Sequence, residues 1–530
     1  MGLNAEQQKV VDSNSDRILC LAAAGTGKTH TLIERISRMV NDGISPSNIL
    51  ALTFTNAAAA EMRNRFEKKN PGIVSPEFKT FHAFCYSLMC KDPAIRCALG
   101  YTSIPNIASE AQEKSIDERA KTQCKITISK EKLQSRTGLS KQEQYQVTLY
   151  DKAVTRLFLM ENLITFDALN SKMSELFASD HPATKKYKEQ YTYICSDEYQ
   201  DTDYYQMKFL NSFTNSSFFF VGDTLQNLYS WRGTSNEYIK ALSNSYGWEV
   251  IKLFTNYRST NQICEYANKF SAGYADDSYR VEMKGTRDGD KVHTRLVDGP
   301  VGYSAINPKS LDNVVQEYSK LSGTTAILCR TNKEVSAIIS YMKQHNIEFT
   351  TNHESKIQHL INCALSKSYM LNYLTLYLSS DKYGEYIRLS AQTEVTDLDW
   401  FLKLYGNVPA IKEDVTLINK LIEIATTFGN TESRLAAVNK VFKLKLQPDD
   451  KTDYFGKEFL EYLLSITSNT SESELYIGTI HSVKGLEYDN VFVMNVGSYS
   501  FKLNSEEMKN LFYVAITRAK NRLYIYELFD

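Results

Sequence analysis

The chain has 530 residues, of which 42% are hydrophobic and 23% charged, and its formal net charge is −1. That length exceeds one compact core and points to roughly three or four units of ordinary soluble composition. No apolar run is long enough to span a bilayer, the N-terminus is polar rather than secretory, and nine scattered cysteines contain no C-x-x-C pair that would frame zinc or redox chemistry.

In chain order, "DRILCLAAAG" reads as a buried strand entering a glycine loop, and the stripe Leu32, Ile33, Ile36, Met39 and Val40 as an amphipathic helix. "NILALTFTN" is a second strand and "AAAAEMRNRF" a second helix. The Lys-, Glu- and Gln-rich stretch 92–165 reads as a helical insertion, because the strands resume only at "YTYICSD" and "SSFFFVGD". A second α/β pattern starts at "EVIKLFTNYRS" and continues through "TTAILCR" and "NKEVSAIISYMKQ". It breaks off near Glu354 and resumes at "ELYIGTIHSVKGLEYDNVFVMNVG". Between these, "YMLNYLTLYL", "TLINKLIEIATTF" and "GKEFLEYLLSI" are periodic helical segments. Strand–loop–helix alternation predicts parallel sheets covered by helices. The expected fold is α/β with two domains, each split by a mainly helical insert. The bounds are 1–91 and 166–249 around insertion 92–165, then 250–355 and 475–530 around insertion 356–474.

"AAAGTGKT" has the chemistry of a phosphate cradle: Gly25 and Gly27 supply unhindered turns, Lys28 a charge for the outer phosphates, and Thr29 a hydroxyl for a metal ion. Ala22 stands where the usual pattern has its first glycine, which is tolerable if the backbone there keeps a negative φ. Such a loop needs a carboxylate at a neighbouring strand end to hold magnesium and another to orient water. Asp197 and Glu198 after "YTYIC" supply that pair; alone, they would read as a solvated turn.

At these residues the chain resembles the UvrD/Rep/PcrA branch of superfamily 1 (type A) DNA helicases. "LNAEQQKVV" is similar to the family's Q motif, "AAAGTGKT" to motif I, "TFTNAAAAEMRNR" to Ia, "TFHAF" to Ib and "SDEYQDTD" to II. "VGDTLQNLYSWRGT", "LFTNYRST", "TIHSVKGLEYDNVFV" and "EEMKNLFYVAITRAKNRL" resemble motifs III to VI. The resemblance implies two RecA-like domains and makes the leading alanine a lineage habit.

It further implies an ATP site at Ala22, Ala23, Ala24, Gly25, Thr26, Gly27, Lys28, Thr29 and His30, with Gln7 on the adenine edge and Tyr257 on its face. Thr29 and Asp197 would hold Mg2+, Glu198 would activate water, and Gln226 would sense the γ-phosphate. Arg258 and Arg518 would act as arginine fingers, and Glu487 would contact the ribose. For DNA, the resemblance implies stacking on Phe54, Tyr229 and Trp231, with Asn56, Thr80, His82, Arg232, Thr479 and His481 along the same path. Read alone, each aromatic is an ordinary core residue and each histidine a structural one. The sequence departs from the family at Ala57, at Thr224–Leu225, at His30 and at Lys509–Asn510, none of which belongs to the phosphoryl-transfer set.

The expected activity is ATP-driven, 3′-to-5′ movement on single-stranded DNA with unwinding of partly duplex DNA, in replication, repair or recombination, by a cytoplasmic protein without membrane contact. The second insertion looks small, so unwinding is expected to depend on a partner (a nuclease, a replication or defence factor) or on self-association. The alternative is a motor or nucleotide-sensing subunit of a larger assembly such as an anti-phage system, or a phage-encoded accessory helicase acting in an infected host. An RNA helicase is a third reading.

Overall fold

The computed structural model describes residues 2–108, 110–229, 233–297, 306–351, 360–361, 364–365, 409–426, 429–442, 446–448, 452–468 and 473–528. The chain divides into a first unit of residues 1–105, 166–352 and 473–530 and a second of residues 106–165 and 353–472.

The strands, in chain order, are β1 (Arg17–Ala22), β2 (Ile49–Thr53), β3 (Glu77–Thr80), β4 (Asn106–Ile107), β5 (Leu163–Ile164), β6 (Tyr193–Ser196), β7 (Ser217–Gly222), β8 (Glu249–Leu253), β9 (Thr255–Asn256), β10 (Lys284–Gly285), β11 (His293–Val297), β12 (Thr325–Cys329), β13 (Leu475–Thr479), β14 (Tyr488–Val496) and β15 (Ala519–Leu528). The first unit contains two parallel sheets, ordered β3-β2-β6-β7-β1-β8 and β11-β15-β14-β12-β13, plus the short pair β10-β9. Strands such as "ILALT" and "TAILC" are buried along their whole length, as sheets covered on both faces require. The first core gathers Ile18, Leu32, Ile36, Met62, Phe66, Phe78 and Val221. The second gathers Ile327, Val335, Ile338, Ile477, Phe492 and Tyr526.

One expectation is corrected. "EVIKL" does not open the second α/β pattern: it is β8, the edge strand beside β1, in register from Ile18↔Glu249 to Ala22↔Leu253. Ile251 and Leu253 enter the first core, and that apolar pair fixes the strand to this sheet. The chain then passes to the second sheet through residues 254–260. Glu6 holds this crossing, accepting from the Phe254 amide at 2.7 Å and from Thr255.

In the second unit, helices Glu110–Cys124 and Lys141–Met160 close over Ile116, Ala120, Leu157 and Leu163, next to the β4–β5 pair. Helices Pro409–Thr426, Thr431–Phe442 and Gly456–Ser468 share Leu421, Leu435, Val438, Phe459 and Leu463. The segment "YMLNYLTLYL" lies outside the described residues. The expected insertions 92–165 and 356–474 stand beside 106–165 and 353–472 in the structure. Residues 92–105 stay with the first unit, where Asp92 caps helix Pro93–Ala98 and accepts from Tyr187 at 2.9 Å. No helix among the described residues is long and apolar enough to cross a membrane.

Arg35 ties the N-terminal helix to the first sheet. Its guanidinium donates to the Val10 and Ser13 carbonyls at 2.7 and 2.9 Å and sits 5.3 Å from the Phe219 ring centroid. Replacing it strands carbonyls at the end of helix Ala5–Asp12. Arg35→Met is expected to cost the first unit about 2–4 kcal/mol, read as a drop of several degrees in its calorimetric transition. Arg65→Met, which breaks only an exposed pair with Glu61, is expected to cost less than about 0.5 kcal/mol.

Candidate active site

β1 ends at Ala22, which is fully buried and not among the residues with positive φ, so no glycine is needed there. Glycine is needed at the next turns. Gly25 (φ 71°) would carry a Cβ 2.7 Å from Arg258 Cβ and 2.8 Å from Asn256 Oδ1, and Gly27 (φ 82°) one 2.8 Å from Gln7 Nε2. The loop is tied to its neighbours through main-chain groups. Gln7 Nε2 donates to the Thr26 carbonyl at 3.1 Å, Asn256 Nδ2 to Ala24 at 2.8 Å, and the Tyr257 amide to Gly25 at 2.9 Å. Gln7 also closes a capping box with Asn4. Lys28 Nζ lies 3.4 Å from the Ala22 carbonyl at the start of helix Lys28–Asn41. His30 faces Glu34 at 3.9 Å, on the outer side of that helix, and the structure does not bring it to the carboxylates and arginines described next.

Across the sheet, Thr29 Oγ1 donates to Asp197 Oδ2 at 2.9 Å. Asp197 is 5% exposed, and burial together with the charge of Glu198 pushes its carboxyl well above the usual range. Burial also pushes Glu198 upward, but Lys28 and Lys484 outweigh it and hold this carboxyl below its ordinary value. Glu198 adopts a left-handed backbone (φ 53°), a conformation uncommon for a residue with a Cβ and concentrated at functional sites. Asp201, 2% exposed, is pushed up to about 6 by burial, against the pull of Lys484.

Lys484 was absent from the sequence-derived site. Its ammonium pairs with Asp201, donates to the Gln226 carbonyl at 3.0 Å and lies 4.9 Å from the centroid of the Tyr229 ring. A lone lysine in "HSVKGLE" reads as a solvated charge, and its partner is 283 residues away, so no local signal revealed it.

From the second sheet's side, Arg518 is 1% exposed and donates to Gln226 Oε1 at 3.3 Å and to the Leu486 carbonyl at 3.2 Å. Burial and the like charge of Arg258 lower it to about 9, still cationic at neutral pH. Gln226 Nε2 donates in turn to Asp223 at 2.7 Å. Arg258 is paired with Glu487 at 2.8 Å, so the expected finger and the expected ribose ligand hold each other. Tyr257 stands on the rim, 38% exposed.

Of the expected DNA path, Phe54 and Tyr229 stack on each other (centroids 4.6 Å apart, 19° between planes). Thr80 Oγ1 donates to Asn56 Oδ1 at 3.4 Å, and His82 shares a 2.8 Å hydrogen bond with Asn170. Half-exposed Phe166, which sequence reasoning missed, meets His82 edge-on at 5.2 Å. Thr479 ends β13, and His481 follows it near Arg330. Trp231 and Arg232 lie outside the described residues.

A parallel sheet that places a Gly-Lys-Thr loop and an Asp-Glu pair at its strand ends, facing the buried Arg518 from the second sheet's side, defines a two-domain nucleotide-hydrolysing motor. Residues 3–247 match the UvrD/REP helicase N-terminal domain, and residues 251–359 and 408–528 match the UvrD-like helicase C-terminal domain. The chain belongs to this helicase family and is an ATP-using, DNA-dependent helicase. It is 24% identical to a probable DNA helicase II homolog of Mycoplasma capricolum, covering 99% of this chain and 84% of that protein. It is 26% identical to the ATP-dependent DNA helicase PcrA of Staphylococcus epidermidis (99% and 83% covered) and 25% identical to a probable DNA helicase II homolog of Rickettsia conorii (99% and 92%).

Two outcomes follow from the buried charges. Lys484→Met leaves Asp201 without its cation and is expected to cost about 3–5 kcal/mol, whereas adding Asp201→Leu recovers most of that loss in a denaturation double-mutant cycle. His481 is lowered to about 4 by burial and by Arg330, while an unfolded histidine titrates near 6.5. Its folded form therefore resists protonation, and stability is lost as pH falls from about 6.5 toward 4, on the order of 2 kcal/mol after discounting for partial exposure. The stability gap between wild type and His481→Asn is expected to shift in the variant's favour between pH 7 and pH 5, measured by urea unfolding.

Proposed function

We propose that the chain moves 3′-to-5′ along single-stranded DNA, with ATP between its two sheets and DNA across the Phe54–Tyr229 stack. The observation that carries this reading is one continuous set of contacts: Thr29–Asp197, then Glu198, Gln200 and Asp223 in turn to Gln226, which Arg518 and Lys484 hold, then Lys484 over the Tyr229–Phe54 stack. A change at the phosphates has a physical route to the base-stacking side.

The residues present fit Mg2+. Thr29 Oγ1 and Asp197 Oδ2 are hard oxygens 2.9 Å apart, the separation of neighbouring ligands in an octahedron of about 2.1 Å radius. Such an ion, when bound, would neutralise phosphate charge. Lys28 neutralises the outer phosphates, Glu198 orients the attacking water, and Arg518 offsets the charge that develops on the γ-phosphate. Arg258 joins it once nucleotide competes for the guanidinium now held by Glu487, which frees Glu487 for the ribose. Aromatic stacking tolerates any base, as a motor requires. Thr80, His82, Thr479 and a neutral His481 would donate hydrogen bonds to DNA phosphates. The same reading places the motor in replication, repair or recombination, with a partner protein or a second copy of the chain assisting duplex unwinding.

Lys28→Ala is expected to abolish single-strand-stimulated ATP hydrolysis while leaving the chain folded. On tailed duplexes the wild type is expected to displace strands from a 3′ tail and not from a 5′ tail. Full turnover by the variant, or displacement from 5′ tails alone, overturns the reading.

A further inference from the structure

The turn Thr224–Asn227 carries Gln226 on its nucleotide side and leads within two residues to Tyr229 on the stacking side. Its main-chain carbonyls point at the second half of the unit, and each needs a donor once buried. Gln226 receives Lys484. The Asn227 carbonyl receives Asn510 Nδ2 at 3.3 Å, and the Thr224 carbonyl is shared between Asn510 Nδ2 at 3.5 Å and Asn236 Nδ2 at 3.0 Å. Asn510 lies on helix Glu506–Ile516, is 2% exposed, and accepts from the Tyr274 hydroxyl at 3.1 Å. Two facing carbonyls fix the amide's orientation: flipped, its oxygen would oppose both. On the other side, Asn227 Nδ2 donates to the Gln200 carbonyl at 2.8 Å, and its Oδ1 accepts from the Tyr229 amide at 3.2 Å. The turn is therefore gripped from both halves.

The residue type suits the place. Arg518 and Lys484 already bring positive charge to this turn, both donating to Gln226. A further buried cation would carry a desolvation penalty and like-charge repulsion, whereas a carboxamide supplies two donors and no charge.

We propose that Asn510, with Tyr274 behind it, is a positioning residue that transmits movement of the second sheet to the Gln226–Tyr229 turn and so sets how strongly DNA stimulates ATP hydrolysis. This rests on the assignment of Gln226 to the nucleotide and Tyr229 to DNA. Without the clasp, the Asn227 carbonyl loses its donor from the second half and only Gln226 stays tied to it, through Lys484 and Arg518, so the DNA signal is weakened in transit.

The test is the ratio of ATP turnover with saturating single-stranded DNA to turnover without it, in N510A, N510D and Y274F of the full chain. N510D keeps the shape of the side chain but sets an acceptor against two carbonyls. The expected order of ratios is wild type above Y274F, Y274F above N510A, and N510A above N510D, with N510A down about tenfold. The ATP KM without DNA is expected to stay within about twofold, because none of these groups belongs to the nucleotide set. If N510D does not fold, Y274F, which loses only a hydroxyl, reads the same ratio. A wild-type ratio in N510A, N510D or Y274F overturns the inference, as does an equal loss of basal and stimulated turnover, which marks a structural role. A wild type that DNA does not stimulate sinks the proposed function instead.

Discussion

Four carboxylates in one small volume, Asp197, Glu198, Asp201 and Asp223, are the constraint on which the first unit's arrangement depends. Carboxylates removed from water need cations close by, since a pair about 4 Å apart gains roughly 4 kcal/mol at an effective dielectric constant of 20. Lys28 comes from the same sheet, but Lys484 and Arg518 come from segments of the second. The two sheets are thus held by opposite charge across the proposed nucleotide position. Phosphates entering that position add negative charge, and the additional cation on hand is Arg258, now held by Glu487. A site that must accept and release an anion is better built from exchangeable ion pairs than from a sealed apolar wall.

The path of residues 480–487 gives this arrangement its reach. β13 and β14 run parallel in one sheet, so the chain must return from the carboxyl end of β13 to the amino end of β14 within that span. His481 stands near its start, Lys484 in the middle and Glu487 at its end. One short crossing therefore touches the expected DNA path, the buried carboxylates and the arginine finger in turn. Asn510 on helix Glu506–Ile516 and Arg518 just beyond that helix reach the same turn from a second crossing, which makes the Thr224–Asn227 turn the point where both meet.

What the sequence could announce was whatever local chemistry fixes. Gly25 and Gly27, followed by Lys28–Thr29, declare a phosphate turn because positive φ and close approach admit nothing larger. The carboxylate pair was legible only because the Lys28–Thr29 loop upstream calls for one at a neighbouring strand end. Lys484 was not, since its meaning lies in Asp201, far off in the chain. The strand "EVIKL" was assigned to the wrong sheet because an edge strand carries no local mark of which sheet it extends; Ile251 and Leu253 settle that only through tertiary packing. Phe166 looked like an ordinary helix start and becomes informative only when His82 is found beneath it. The pairing of Arg258 with Glu487 was likewise invisible, because motif reading assigns each residue to a ligand and never to another motif.

Three of the described cations flanking the expected DNA path are engaged within the protein. Lys79 binds Glu77 and Ser87, Arg63 donates to the Phe78 carbonyl at 2.9 Å, and Lys484 is committed to Asp201. Beside them stand rings and neutral donors: Phe54, Tyr229, Phe166, Thr80 and His82. Stacking holds each base through its π-face and is indifferent to sequence, while phosphate contacts from neutral groups release fewer counterions than lysines and arginines would. A net charge of −1 is therefore no obstacle to gripping a polyanion through local contacts. Of these rings Tyr229 closely follows the Thr224–Asn227 turn, so on the proposed reading a small movement of that turn shifts its stack with Phe54.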